Sequence, residues 1–275
     1  MKFNKIVQNS TLIITGTIIP EKMEMISGIL QNNIKLFSKF SNIVLMLNTI
    51  DEKGEKYLSD YKDLIEELLE LSKSNATLYH LRDYVNRGWQ FGTIDMERTA
   101  YNFVSENLSM GAILKVDFDV YLEENILNLD VSDAEAIIMP SIGYSTVVEQ
   151  NHSDFDKLME LYDKIPPQST IYLILHPMDY IYCDPNWLNR KYKEWILNPI
   201  GNGPHHIGVA CEPLLRQSFE RNNFRIKNMI SKESFRNLLK VIHTYKIVDP
   251  SHKNLFFEEV GICHLYDDTQ NIIKI

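Results

Sequence analysis

Over its first 120 residues the chain alternates short apolar runs with longer stretches of helical period, and this alternation most restricts its fold. "TLIIT", "NIVLML", "ATLYHL" and "AILKV" read as buried strands. Between them, "EKMEMISGILQNNIKLFSKF" carries apolar residues at three- and four-residue spacing, "DYKDLIEELLELSKS" is acidic toward its start with Lys73 near its end, and Ile94 to Asn107 forms a third helix. Strand–helix–strand units of this length predict an α/β fold, a mainly parallel sheet flanked by helices. Ligands of such sheets gather beyond the carboxyl ends of the strands. The second half is more mixed. "AEAIIMP", "TIYLILH" and "HHIGVA" read as strands, and "DFDKLMELYDKI", Pro213–Arg221 and Lys232–His243 as helices. Phe257–Cys263 reads as one short strand. Nothing marks a boundary, so residues 1–275 are read as a single domain whose second half elaborates the sheet.

The balance of charge narrows the partners. A net charge of -9 over 275 residues argues against a dedicated nucleic-acid binder, which would show a basic face. Cys183, Cys211 and Cys263 lie far apart with no C-x-x-C pair, the usage of reduced thiols in a cytoplasmic protein. The opening "MKFNKIVQNSTLIITGTIIP" has only a short apolar run, broken by polar residues, and reads as neither signal nor span. Peripheral contact at the inner face of a membrane stays open.

Asp-Phe-Asp occurs twice, in "AILKVDFDVYLEE" and "QNHSDFDKLMELY". About one Asp-x-Asp is expected by chance at this length, so context decides. In the second copy Ser153 stands where a helix cap would, and Asp154 and Asp156 fall in the first turn, where acids satisfy free N–H groups and oppose the helix dipole. The first copy follows an apolar strand with no cap pattern. In an extended backbone Asp117 and Asp119 would point the same way and Phe118 into the core. Two close carboxylates repel unless a cation or proton joins them, and oxygen-only ligation suits Mg²⁺ or Mn²⁺ with substrate phosphates completing the shell. A solvated strand end is the plain alternative.

The surrounding "NRGWQFGTIDMERTAYNFVSENLSMGAILKVDFDVYL" resembles the central signature of nucleotide-sugar glycosyltransferases of the GT-A fold, in particular family 2. Asn86 and Gly88 match its Asn-x-Gly, Arg98 and Ala100 its helix, and Asp117 and Asp119 its metal motif. The resemblance implies that Asp117 and Asp119 hold Mn²⁺ or Mg²⁺ against the donor's diphosphate. It makes Thr15, Thr17 and Asp51 nucleoside contacts, although the family's Tyr-Asn and Gly-Ser-x-Asp elements are missing. "SKESFRNLLKVIHTYKIV" stands where the family places an acidic pair, which makes Glu233 the candidate base; Ser234 occupies the second acid's place. "VGICHLYDD" resembles the strand ending in a metal- or phosphate-contacting His, here His264. Residues 1–120 would form the nucleotide-sugar half and 121–275 the acceptor half.

The expected activity is transfer of a sugar from a nucleotide-sugar donor to a glycan or lipid-linked sugar acceptor, as in surface polysaccharide synthesis. Arg98, with Arg87 nearby in sequence, would add positive charge beside the phosphates. Inversion is favoured over retention. Two other readings stay open: a catalytically silent GT-A-like binding subunit, and a metal-dependent phosphoesterase. A dinucleotide oxidoreductase is disfavoured because no G-x-G-x-x-G follows the first strand.

Overall fold

A computed structural model of the chain describes residues 1–49, 53–82, 89–109, 111–141, 159–160, 162–178, 181, 211–245, 254–264 and 272–274. The strands are β1 (Thr11–Ile18), β2 (Asn42–Thr49), β3 (Thr77–Arg82), β4 (Ile113–Asp117), β5 (Val120–Leu122) and β6 (Ala136–Pro140). They continue with β7 (Pro167–Ile174), β8 (Ile226–Asn228), β9 (Asn254–Phe257), β10 (Ile262–His264) and β11 (Ile272–Lys274). The helices are α1 (Met23–Phe37), α2 (Lys53–Leu71), α3 (Trp89–Asn107), α4 (Cys211–Arg221) and α5 (Lys232–Tyr245). Seven strands form one sheet in the order β3-β2-β1-β4-β7-β6-β8. β1, β2, β3 and β4 run parallel, β7 runs against both β4 and β6, and β8 is parallel to β6. This is the mainly parallel α/β sheet that the alternation predicts.

Both faces of the sheet are covered, which is why its strands read as nearly unbroken apolar runs. Leu12 and Ile14 of β1 and Leu45 and Leu47 of β2 pack with Ile26, Leu30 and Ile34 of α1 and Leu58, Tyr61 and Ile65 of α2. The alternate residues, Ile13, Val44, Met46 and Ile113, pack with Ile94, Ala100 and Val104 of α3 and Leu215 and Phe219 of α4. The period of two along each strand and the three- to four-residue spacing of each helix thus meet in two layers. α2 begins earlier than its strongest periodicity and ends at Leu71. Lys73 lies just beyond it with φ 51, and the amides of Ser72, Lys73 and Ser74 close the end onto Leu68, Glu70 and Leu69.

A second sheet, β11-β9-β10-β5, is absent from the sequence reading. The single strand expected at Phe257–Cys263 is instead a hairpin: β9 and β10 pair antiparallel. The turn between them contains Gly261 at φ 66, a conformation in which a Cβ would be strained. Cys211 and Cys263 are buried, and Cys183 lies outside the described residues. Burial pushes the Cys263 thiol up to about 12, and burial, followed by the charge of Glu212, raises Cys211. Reactivity needs thiolate, so iodoacetamide at about pH 8 should leave both unmodified in the folded protein and alkylate them in urea. Rapid native labelling of either, located by peptide mass mapping, would contradict this packing.

Candidate functional site

The site follows from the order of the strands. From β1 the chain winds outward through β2 to β3 with α1 and α2 on one face, then crosses by α3 on the other face to β4, on the opposite side of β1. The crevice between the carboxyl ends of β1 and β4 is therefore the topological switch point, where open α/β sheets place their ligands. Thr15 of β1 pairs with Asp117 of β4 at this point. The Thr15 hydroxyl donates to Asp117 Oδ1 at 2.7 Å.

Asp117 is also held from beneath. Lys115 is two residues earlier and so on the same face; its Nζ lies 2.6 Å from Asp117 Oδ1 and 2.8 Å from Glu97 Oε1 of α3. It also donates to the Ser169 carbonyl of β7. The Tyr172 hydroxyl donates to Glu97 Oε2 at 2.9 Å. Lys115 and Glu97 are fully buried side chains, whereas Asp117 retains 22% exposure. Burial alone would lower the ammonium's pKa, but Asp117 and Glu97 together hold it above the usual lysine range. Burial and the Glu97 charge likewise push the Tyr172 phenol well up. The group is an ionic chain running from the core to the crevice.

The first Asp-Phe-Asp departs from the extended geometry expected of it. β4 ends at Asp117, Phe118 and Asp119 make a turn, and β5 starts at Val120 in the second sheet. The Phe118 amide bonds the Thr15 carbonyl at 3.0 Å, and its ring lies over Gly16, where a Cβ would fall 1.9 Å from Phe118 Cδ1. Phe118 also meets the edge of Tyr61 at 6.3 Å between ring centres, so its inward orientation stands as expected. Asp119 sits near Tyr61 of α2: burial and then the Asp119 charge raise the Tyr61 phenol. The two carboxylates therefore flank a turn and do not line up along one strand.

The other expected residues are distributed as follows. Thr17 pairs with Asn48 one step beyond Thr15, on the face shared by α3. Arg98 lies on α3 with its Nη2 3.5 Å from Asp95 Oδ1. His264 ends β10 and is paired with Val120, the residue after Asp119, so its backbone adjoins the turn. Glu233 stands exposed in the first turn of α5. Ser231 caps that helix by accepting the Ser234 amide at 3.1 Å, and Glu259 accepts from the Ser231 amide and the Ser234 hydroxyl. α5 follows β8, three strands from β4, which is roughly 14 Å along the sheet at the usual strand spacing. Asp51, Asn86 and Gly88 lie outside the described residues, as do Asp154 and Asp156 of the second copy.

Three polar atoms of the α3 layer make no hydrogen bond among the described residues: Asn48 Oδ1, Arg98 Nη1 and Glu97 Oε1, the last of which faces the Lys115 ammonium as an ion pair. A buried polar group left unpaired costs about 1–3 kcal/mol, and here the acceptor of Asn48, the strand neighbour of Thr17 at the end of β1, and the Arg98 donor on α3 are left so. Lys115, Glu97 and Asn48 escaped the sequence reading. A lysine inside "AILKV" and an asparagine ending "VLMLN" are the signals that would have found two of them. Among the described residues no group of three or more His, Cys, Asp and Glu side chains is placed to hold a metal. Among the same described residues no helix is long and apolar enough to cross a membrane.

No protein-family model matches the sequence, and no curated protein matches it. Similar solved structures include the galactosyltransferase LgtC in complex with donor and acceptor sugar analogs, at 8% identity, 79% of this chain, 72% of that one and TM-score 0.39. The apo-form glycosyltransferase GlyE of Streptococcus pneumoniae TIGR4 matches at 11% identity over 95% of this chain, with TM-score 0.44. The present chain spans only 55% of the length of GlyE. A nucleoside-diphosphate-sugar pyrophosphorylase from Vibrio cholerae RC9 matches at 7% identity, 80% of this chain, 91% of that one and TM-score 0.41.

Proposed function

We propose that the chain is a metal-dependent glycosyltransferase that moves a sugar from a nucleotide-sugar donor to a glycan or lipid-linked sugar acceptor. The observation that carries this reading is the Thr15–Asp117 pair at the switch point, with Asp119 beside it. The unpartnered atoms of Arg98 and Asn48 support it, because a diphosphate would satisfy the first and a nucleoside N–H or O–H the second. The donor set fits Mn²⁺ or Mg²⁺: two carboxylates supply hard oxygens, and the donor's phosphates would complete the shell. Asp117 and Asp119 would hold the ion, with His264 proposed as a third contact. A cation bound there would act as a Lewis acid on the leaving diphosphate.

The chain's own groups would do the rest. Thr15 and Lys115 fix the Asp117 carboxylate, Arg98 would take a phosphate oxygen, and Thr17 and Asn48 would meet the nucleoside. For an inverting transfer we propose Glu233 as the base, exposed on α5 and clear of the phosphate end. A second reading has its own observation. Where the resembled family carries a second acid, Ser234 is tied into the α5 cap, which favours a silent nucleotide-binding subunit.

Titration calorimetry with UDP, GDP and CMP, with and without Mn²⁺, tests the proposal. One nucleotide should bind in a Mn²⁺-dependent manner, and Asp117→Ala and Asp119→Ala should each weaken that binding at least about tenfold, the scale of losing one charge-assisted ligand. Binding that survives both substitutions, or no binding at all, rejects the transferase. Mn²⁺-dependent binding without sugar turnover on any acceptor selects the silent subunit.

A further inference from the structure

Lys115 has an arrangement that a structural residue would not require. Its Nζ donates to Asp117 Oδ1 and the Ser169 carbonyl and lies 2.8 Å from Glu97 Oε1 as an ion pair, so two of the three donors of an ammonium are hydrogen-bonded and the third side of the group faces an anion. Fully buried among these three oxygens, the ammonium acts on a phosphate through its field and not as a direct ligand. Nor does the sheet need a charge there: buried ionic groups are generally no better for stability than well-packed apolar ones. What the ammonium does is set the charge of the crevice. Among these four described groups, Glu97, Asp117 and Asp119 bring three negative charges and Lys115 one positive charge, a formal -2 between them.

Resting on the glycosyltransferase reading above, we infer that Lys115 makes cation binding conditional on the diphosphate. Its fixed positive charge repels a bare divalent cation and attracts a bare diphosphate. Toward the cation–diphosphate pair, whose charges offset, it is nearly neutral. The cation alone is thus held weakly while the donor complex keeps its affinity. Glu97 sets how strongly this acts, because it shares the ammonium with Asp117 and takes part of its field.

Four proteins test this with MnCl₂ alone and then with MnCl₂ plus the nucleotide that the wild type binds, followed by calorimetry and Mn²⁺ paramagnetic resonance. Glu97→Gln leaves Lys115 both remaining partners and raises the formal charge by one. It should weaken binding of Mn²⁺ alone at least about tenfold, the lower bound set by water-like screening of unit and double charges roughly 6 Å apart, since a buried charge is screened less. Lys115→Met should tighten it by a similar factor. The double variant Lys115→Met/Glu97→Gln has the wild-type formal charge and should bind Mn²⁺ alone with about wild-type affinity. In each protein the Mn²⁺–nucleotide complex should shift much less than Mn²⁺ alone. If Lys115→Met does not fold, as circular dichroism would show, Glu97→Gln and the double variant decide. A double variant that loses Mn²⁺ would mean that Lys115 acts by pinning Asp117, and Glu97→Gln binding like wild type would mean that its charge is irrelevant; either overturns the inference while leaving the transferase intact. A wild type that binds no Mn²⁺, with or without nucleotide, removes the transferase reading and this inference together.

Discussion

Gly16→Ala is expected to lower stability by about 1–3 kcal/mol, the usual scale for overpacking a filled site, and to disturb the crevice more than that figure suggests. The added methyl would stand 1.9 Å from Phe118 Cδ1 and 2.2 Å from Cε1, far inside contact distance. β1 cannot retreat, because it is hydrogen-bonded to β2 on one side and β4 on the other. The ring must move instead, and Tyr61 blocks one direction. Phe118 lies between Asp117 and Asp119, so a displaced ring shifts the turn that sets both carboxylates. Urea titration should show the loss, and Mn²⁺-dependent nucleotide binding should fall with it. The double variant Gly16→Ala/Phe118→Ala should be no less stable than Phe118→Ala, because the small side chain removes the collision. Strictly additive losses would mean that the close approach is not what Gly16 provides.

The parallel half of the sheet was legible because burial on both faces writes itself into sequence as unbroken apolar strands separated by periodic helices. The position of Asp117 at the end of β4 was legible for the same reason. The turn after it was not. Asp-Phe-Asp followed by "VYL" is compatible with one continuous strand, and the chain breaks only because β5 finds its partner, β10, some 140 residues later. No local pattern carries a pairing of that length. The hairpin of β9 and β10 was missed although Gly261 marks it, since "FFEEVGICH" contains a glycine where an uninterrupted strand has no use for one. Lys115 is hidden within an apolar run. A lysine at an inward position of a buried strand implies an acid nearby, but nothing in the sequence says that the acid is Glu97, on a helix of the facing layer. Asp51, Asn86 and Gly88 rest on resemblance alone and lie outside the described residues.

Asn33→Leu is the second large expected effect, about 2–5 kcal/mol, because it unsatisfies two backbone groups at once. Asn33 is 2% exposed on α1, among the apolar residues that pack this helix against the sheet. Its Nδ2 donates to the Val120 carbonyl at 2.7 Å, and its Oδ1 accepts the Leu122 amide at 2.9 Å. Among the described residues β5 pairs with β10 on one edge; on the other, the carboxamide takes the place of a neighbouring strand, offering one donor and one acceptor at β-ladder positions. Leucine fills the volume and supplies neither. Asn33→Asp separates the two bonds, since its carboxylate still accepts from Leu122 but turns an oxygen toward the Val120 carbonyl. It should be destabilised at neutral pH, with part of the loss recovered in acid as the carboxyl gains a proton it can donate. Val120 follows Asp119, so freeing β5 also frees the carboxylate beside it. Asn33→Leu should therefore weaken Mn²⁺-dependent nucleotide binding under conditions where the protein remains fully folded. A variant that loses stability in urea but binds Mn²⁺ and nucleotide like wild type would show that α1 braces the second sheet without setting the site.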